Sequence, residues 1–595
     1  MALRLRLLPG LIGLVVSCLP GPGRSAVGPV PVALGTPVPV LHFTDIRSLP
    51  RSLDDFGRPR ATVLVFTTTG CPLVQRYLPP LEALSRRHAS NEVQFAAVNV
   101  GPDDSIADMA LQALEHRVTF PFVKDTDGSV ARAVGARRTP EVVVLDGERR
   151  LRYRGRIDDQ HRLGGSRPGP ARADLALALE DLLAGREPRT PETPVDGCAI
   201  TFPAPPPARS TLTYARDIAP ILNRHCVECH RPGTEAPFVL TSYERVSAKA
   251  AAIADAVADG QMPPWYAHPA HGKFVNERRL SPAERAALLE WCRADRQPGD
   301  LAAAPAPPAF PQTAWRIGEP DLVLTALTTE SIPATGYVDY RYVVFPFAFT
   351  NDTWVEGVEI RPSNPRVVHH ANLASVPVGR KLDLSRNFIT GRVPGGNVVD
   401  LRGGRAILIP KNSVLGLQVH YVTTGKPEKD RISLGLRFPK APIRQQVRYK
   451  ILDNGRFAIP PGAAAHEVSA MREIEADITG IALFTHMHLR GRDSTFVAHY
   501  PDGRQETLVV MPNYNFSWQM SYLWPEGTQR FPKGTRLECR SHFDNSRFNP
   551  YNPDPSVTVR YGQQTHEEMM QGFFFYTVDG EMLDIRVDPK SGQAL

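Results

Sequence analysis

Residues 61–87 read ATVLVFTTTGCPLVQRYLPPLEALSRR. The first eight are apolar and rich in β-branched residues, which suits a buried strand; Val74, Leu78, Leu81 and Leu84 then recur at helical spacing. A strand running into a helix, with Cys71-Pro72 at the junction, opens an α/β layer. The alternation continues outward. Residues 93–100 read as a second buried strand and 105–116 as a second helix. Residues 141–145 and 150–157 read as hairpin-like strands, and 174–184 as a closing helix ending at Gly185. A Pro-rich linker is expected over 185–207, a mainly helical segment over 208–300, and a second, semi-stiff Ala/Pro linker over 302–311. From Trp315 onward the pattern changes to short alternating strands punctuated by Gly, Pro and Asn, which predicts all-β sandwiches.

At 595 residues the chain is too long for one domain, and about 150 residues per domain suggests three to five. The net charge of +7 is spread along the sequence, and no Lys/Arg block is interleaved with aromatics, so nucleic acid is not an expected partner. Residues 1–25 begin with Arg4 and Arg6, continue with an apolar run over 7–19 and end in Pro-Gly-Pro-Gly, the form of a signal peptide. The run is too short for a comfortable membrane span. Val15-Val16-Ser17-Cys18 also has the form of a lipoprotein cleavage box, so cleavage near Ala26 and lipidation of Cys18 both stand. The protein is therefore expected to be exported, periplasmic or at the cell surface, and to meet a membrane only through such an anchor. Seven cysteines are few for a disulfide-stapled protein; outside the cytosol, free thiols tend to oxidise or to bind metal.

Cys71 stands where the helix dipole favours a thiolate, and Thr139-Pro140 precedes the third core strand. With these two features, residues 40–190 resemble the thioredoxin-like redoxins, which place a cis-proline there facing the cysteine. Cys71-Pro72-Leu73-Val74 lacks the second cysteine of a C-x-x-C pair. Thr68-x-x-Cys71 is similar to peroxiredoxins, but Leu64 stands where their preceding proline would be. Two readings stay open: a docking domain with a buried thiol, or a redox domain in which Cys198, in the linker, is the resolving partner of Cys71.

Cys226-Val227-Glu228-Cys229-His230 is C-x-x-C-H. Its two thiols can add across haem vinyl groups while the His supplies the proximal nitrogen, so one covalent haem c is expected. A zinc site would need two more ligands, with no paired cysteines to supply them. The second axial ligand is expected to be Met262, in Gln261-Met262-Pro263-Pro264-Trp265, with His268 and His271 as alternatives. Ser281-Pro282-Ala283-Glu284 is a capping box opening a final helix whose Leu288, Leu289 and Trp291 would cover the haem edge. Cys292 on this helix reads as a buried small residue. Residues 208–300 thus resemble a small class I, all-α cytochrome c domain.

The last half carries clustered histidines. His369-His370 follow Val367-Val368; His420 ends an apolar strand; His486-Met487-His488 places two imidazoles two residues apart, on one face if the segment is a strand. Glu567-Glu568-Met569-Met570 supplies thioethers, of which alternation lets only one be a ligand. Together these residues resemble the copper type II ascorbate-dependent monooxygenases, over about residues 315–590. The resemblance implies two coppers on tandem jelly-roll sandwiches, 315–445 and 446–595, facing each other across an open cleft. His369, His370 and His420 match the electron-storing site. His486, His488 and Met569 match the O2-binding catalytic site, with Met570 as the rival sulfur. Soft thioether ligation favours Cu(I), the state that binds O2. In the peptide-amidating members an Arg and a Tyr grip the substrate carboxylate; here Phe484 and Phe573 hold those places, and Cys539 alone cannot rebuild the family's disulfides.

The expected function is hydroxylation of a C–H bond with O2 on a small, apolar or aromatic substrate, with electrons from an external donor passing through the fused haem domain. Two alternatives remain: a haem and copper electron carrier or copper-handling protein without such a substrate, and a thiol-based redox enzyme centred on Cys71.

Overall fold

A computed structural model describes residues 31–91, 93–162, 165–202, 208–234, 236–310, 315–336, 338–393, 396 and 398–595. The expected leader, with Cys18 and Ala26, lies outside them. Among the described residues no helix is long and apolar enough to cross a membrane.

The N-terminal layer is a thioredoxin-like α/β domain. Its seven-stranded sheet runs Pro50–Ser52, His42–Asp45, Phe122–Lys124, Val93–Asn99, Ala61–Thr67, Glu141–Asp146, Leu151–Gly155. Ala61–Thr67 lies parallel to Val93–Asn99 and antiparallel to Glu141–Asp146. All seven of its residues are buried, because core clusters cover both faces of the sheet; hence its unbroken apolar run. Helices Pro72–His88, Ile106–Glu115 and Asp174–Leu183 follow the sequence reading. The short strand Phe122–Lys124 and helix Ser129–Val134 went unread, being too brief to show a period.

The stretch expected to be a linker over 185–207 is instead fastened to this domain as far as it is described. The Thr193 N–H donates to the Arg154 carbonyl, and Cys198–Ala199 pairs with Arg138–Thr139. Backbone pairing, which composition does not reveal, overrides its Pro-rich character.

The middle of the chain is helical. Ala219–His225, Tyr243–Ser247, Ala250–Ala258 and Pro282–Arg293 gather around the fully buried Trp291. The capping box at Ser281 and Glu284 forms. This segment is not self-contained. Trp265, Ala267 and Phe274 enter the core of the last sandwich, where Trp265 packs edge-on to Tyr522 at 5.1 Å. The His268 N–H donates to the Val510 carbonyl and the Val275 N–H to that of Leu523. The second expected linker is also packed rather than free: the Asn223 amide donates to the carbonyls of Pro305 and Ala306, and the Arg231 guanidinium lies 4.0 Å over the Phe310 ring.

The rest is β-rich, as two sandwiches of antiparallel sheets. In the first, Leu322–Thr325, Ile432–Arg437, Gly357–Pro362 and Val399–Asp400 face Arg341–Phe349, Ser413–Tyr421, Val368–Pro377 and Phe388–Arg392 across one core. In the second, Arg448–Asp453, Gln571–Val578, Ile478–His486 and Ser521–Leu523 face His466–Glu473, Arg536–Phe543, Gly491–His499 and Gln505–Met511. The chain end crosses back: Ile585 pairs with Ile443, and Val587 packs with Trp354 and Ala406 of the first sandwich.

Because Trp265 belongs to a core formed mainly by another domain, Trp265→Ala is expected to destabilise the second sandwich by roughly 3–5 kcal/mol, read by denaturant unfolding. A loss below about 1 kcal/mol would show that the strap formed by residues 265–275 does not belong to that core.

Candidate functional site

The strand Val368–Pro377 pairs with Ser413–Tyr421 so that His370 stands opposite His420. The register shifts between Val368 and His370, leaving His369 as an inserted residue. Neighbours on a regular strand face opposite ways; the bulge re-aims His369 so that both imidazoles reach one point. His369, His370 and His420 present ring nitrogens all within 4.8 Å of one another.

In the second sandwich His486 ends the strand Ile478–His486, and His488 follows just beyond it. Between them Met487 turns into the core, where the Tyr514 hydroxyl donates to its carbonyl and accepts from its N–H. The two imidazoles therefore stay on one side, with ring centroids 5.1 Å apart. The buried Glu568 carboxylate fixes this turn by accepting from the N–H groups of His488 at 2.9 Å, Arg490 at 2.7 Å and Met569 at 3.2 Å. Burial pushes its carboxyl up to about 8, against those N–H groups and the Arg490 charge. Met570 is buried in the sandwich core, whereas Met569 lines a cavity of about 80 Å³ with His486, Phe388, Phe484 and Phe573.

Hydrogen bonding selects the tautomers. His486 Nδ1 lies 2.6 Å from Gln519 Oε1, and His488 Nδ1 lies 3.1 Å from the Glu567 carbonyl. Both oxygens accept, so each Nδ1 carries the proton and each Nε2 keeps its lone pair. His370 Nε2, His420 Nδ1 and His488 Nε2 are buried without a hydrogen-bond partner. An orphaned buried polar atom costs about 1–3 kcal/mol, and three in one place fit a centre that takes a metal. Burial drives His369 down to about 4 and His420 to about 3, and lowers His370, His486 and His488, so all five are neutral near pH 7, the form able to ligate a metal.

The two clusters meet. His370 and His486 rings are 6.0 Å apart, and Phe516, from the second sandwich, stacks on His369 at 4.9 Å and lies 6.2 Å from His488. The open cleft implied by the family resemblance is thus replaced by a closed seam, because Phe516 and the imidazoles fill the space. Tyr340 closes another side, 5.1 Å from His420. A larger crevice of about 750 Å³ runs beside the seam; Phe388 and Phe484 line both it and the small cavity. Gln519, Glu568, Phe516 and Tyr340 were not legible as site residues, since each acts through contacts between distant segments.

In the helical part the N–H groups of Cys229 and His230 both donate to the Cys226 carbonyl, at 3.1 and 2.9 Å, so the motif forms one tight turn. His230 Nδ1 faces the Phe238 carbonyl at 3.0 Å, leaving Nε2 as the basic nitrogen. Burial pushes the Cys226 thiol up to about 12. Cys229 borders a crevice of about 490 Å³ shared with Trp315, Arg361 and Arg392 of the first sandwich. Met262 is half-buried beyond the helix Ala250–Ala258, and is not among the described residues lining that crevice. Of the alternatives, His268 has both ring nitrogens engaged: Nε2 meets Asp108 at 3.0 Å and Nδ1 accepts from the Ala270 N–H. His271 sits beside it, 6.4 Å ring to ring, on the same strap. Cys292 lies in the helical core and Cys539 in that of the second sandwich. Cys71 Sγ lies 3.0 Å from Cys198 Sγ.

Residues 34–167 match the Redoxin family, which accords with the N-terminal fold. No curated protein is similar in sequence to the chain. Among solved structures, a hypothetical protein of Sinorhizobium meliloti is 28% identical, over 29% of this chain and 97% of its own, with a TM-score of 0.28. An uncharacterised conserved protein of Geobacillus kaustophilus is 29% identical, over 29% and 94%, at 0.27. A putative thiol:disulfide interchange protein DsbE of Chlorobium tepidum is 17% identical, over 26% and 97%, at 0.21.

The metal-free protein is expected to lose stability in mild acid. Above the ordinary His value of 6.5 the five imidazoles are neutral folded or unfolded. Below it the unfolded chain takes up protons that the folded chain refuses, at about 1.4 kcal/mol per pH unit for each group until the folded value is reached. Glu568, raised by burial, acts in the opposite sense. The measurement is therefore a difference: between pH 7.5 and 5.0 the urea midpoint should fall further in wild type than in His420→Phe.

Proposed function

We propose that the seam binds two coppers and that the protein is an exported, copper-dependent monooxygenase supplied with electrons through a fused c-type haem segment. The observation that carries this reading is the meeting of five neutral imidazoles, four buried and His369 half-buried, three with orphaned nitrogens, between two sandwiches. His369, His370 and His420 would hold one copper, and His486, His488 and Met569 the other. When bound, copper supplies one-electron redox chemistry and O2 activation, and haem supplies single electrons.

The chain's own part is positioning and exclusion. Gln519 and the Glu567 carbonyl hold the His486 and His488 rings in one tautomer, and Glu568 holds the backbone that carries His488 and Met569. Phe516 keeps water from the imidazoles. Phe388, Phe484 and Phe573 pack together on the wall of the small cavity beside His486, and these rings offer no cation or hydroxyl to a carboxylate. They suit an apolar or aromatic substrate. On the donor side, Cys226, Cys229 and His230 would hold a covalent haem, with Met262 as the proposed further ligand to its iron. The crevice beside Cys229 is bordered by Arg392 of the strand Phe388–Arg392, which pairs with the strand carrying His369 and His370. A haem and copper electron carrier without a C–H substrate is the second reading, favoured by the 6.0 Å approach of His370 and His486 in a closed seam.

The deciding experiment is O2 uptake with ascorbate across a panel of apolar and aromatic compounds, with products identified by mass spectrometry. Copper-dependent formation of a hydroxylated product is expected; full metal loading without product from any compound would favour the carrier. Glycine-extended peptides should be poor substrates, since a desolvated carboxylate without a partner costs roughly a few kcal/mol. Their efficient turnover would contradict the aromatic wall's assigned role.

Met569→Ile should weaken copper binding and suppress turnover while the fold persists. Met570→Ile should instead act on the core. Copper titration and thermal unfolding of both variants check this, and the reverse pattern would move the thioether ligand to Met570. Haem should stay with the denatured chain in acid-acetone; extraction would overturn covalent attachment.

A further inference from the structure

We infer that Cys71 and Cys198 form a reversible dithiol–disulfide pair, a thiol-exchange site reached from solvent through Cys198. The inference stands apart from the copper reading and rests on the N-terminal domain. Cys71 caps the helix Pro72–His88 directly after the central strand, with 1% of its surface exposed. The position three residues on, where a C-x-x-C partner would stand, is the buried Val74. The second sulfur arrives from the far end of the domain instead. After the closing helix the chain returns along Arg138–Thr139, and Cys198 pairs in register with Thr139, beside Cys71. Gly197 permits the approach: a Cβ there would lie 2.3 Å from the Thr139 carbonyl oxygen. The sulfurs sit 3.0 Å apart, and a disulfide needs about 2 Å, so a small side-chain movement closes the bond.

The pair is asymmetric. Cys198 is part-exposed, and the Arg138 guanidinium, which donates to the Gly197 carbonyl, adds positive charge beside it. Cys71 is covered. Burial raises its thiol, but hydrogen bonds from Cys198 and from the backbone of Val74 and Leu73 outweigh that and lower it, while the Cys198 thiol is pushed up to about 11. Of the two thiols Cys71 therefore ionises first. In the oxidised pair Cys71 is the better leaving group.

The exchange balances with a partner dithiol, on a protein or a small molecule. A partner thiolate attacks Cys198 Sγ, the Cys71–Cys198 bond breaks, and Cys71 leaves as thiolate. The partner's second thiolate then attacks the mixed disulfide and releases Cys198. The pair gains two electrons and two protons, and the partner becomes a disulfide. Direct peroxide chemistry at Cys71 is disfavoured by the same geometry, because its sulfur is the covered one.

The test uses the full chain, incubated with diamide, freed of it, then incubated with reduced glutathione, alkylated at each stage and mapped as peptides without reduction. A Cys71–Cys198 linked peptide should form and then disappear in the folded protein. Both thiols remaining alkylatable after oxidation would overturn the pair, and a link that glutathione cannot open without denaturant would make it a mere staple. In a second arm, glutathione disulfide should load Cys198 in Cys71→Ser roughly tenfold more than Cys71 in Cys198→Ser, following access. Equal loading, or more on Cys71, would overturn the route through Cys198.

Discussion

Desolvation of neutral imidazoles at the seam between two sandwiches is the constraint on which the rest of this structure turns. Each ring nitrogen removed from water must find a proton, an acceptor or a metal. The chain meets part of that demand itself, with Gln519 and the Glu567 carbonyl. It leaves three nitrogens aimed inward, at His370, His420 and His488. The bulge at His369, the buried Glu568 and the stacked Phe516 all hold an arrangement that costs stability unless a metal completes it.

The seam is supported by an interlocked chain. The strap with Trp265 and Phe274 seals the second sandwich, the tail with Ile585 and Val587 returns to the first, and Arg47 of the redoxin domain pairs with Asp544 at 3.1 Å. Relative motion of the two sandwiches would disturb these contacts as well as the histidines. That coupling accounts for a closed seam where the family resemblance implies an open cleft.

Much of this was legible in the sequence, for identifiable reasons. The buried strand at 61–67, the capping box at Ser281 and the histidine positions are local signals, readable from period and spacing. The α/β layer and the β-rich half followed from them. What escaped was non-local. Pro-rich composition at 185–207 hid a strand pairing that brings Cys198 to Cys71. The strap residues read as part of one helical domain, although their apolar side chains complete another core. Spacing placed His486 and His488 on one side, but gave no sign that His370 would approach them to 6.0 Å. Alternation told Met569 from Met570 only as opposites; the structure puts Met570 in the core and Met569 on the cavity beside His486.

The claim that both histidine clusters are metal sites is tested most directly by metal analysis of the purified, copper-loaded chain beside His370→Ala and His488→Ala, with circular dichroism to verify folding. Two equivalents of copper are expected in wild type and a loss of about one in each variant, since each substitution removes a proposed ligand from a different site. Folded variants that keep the wild-type copper content, or a wild-type chain that retains none, would contradict it.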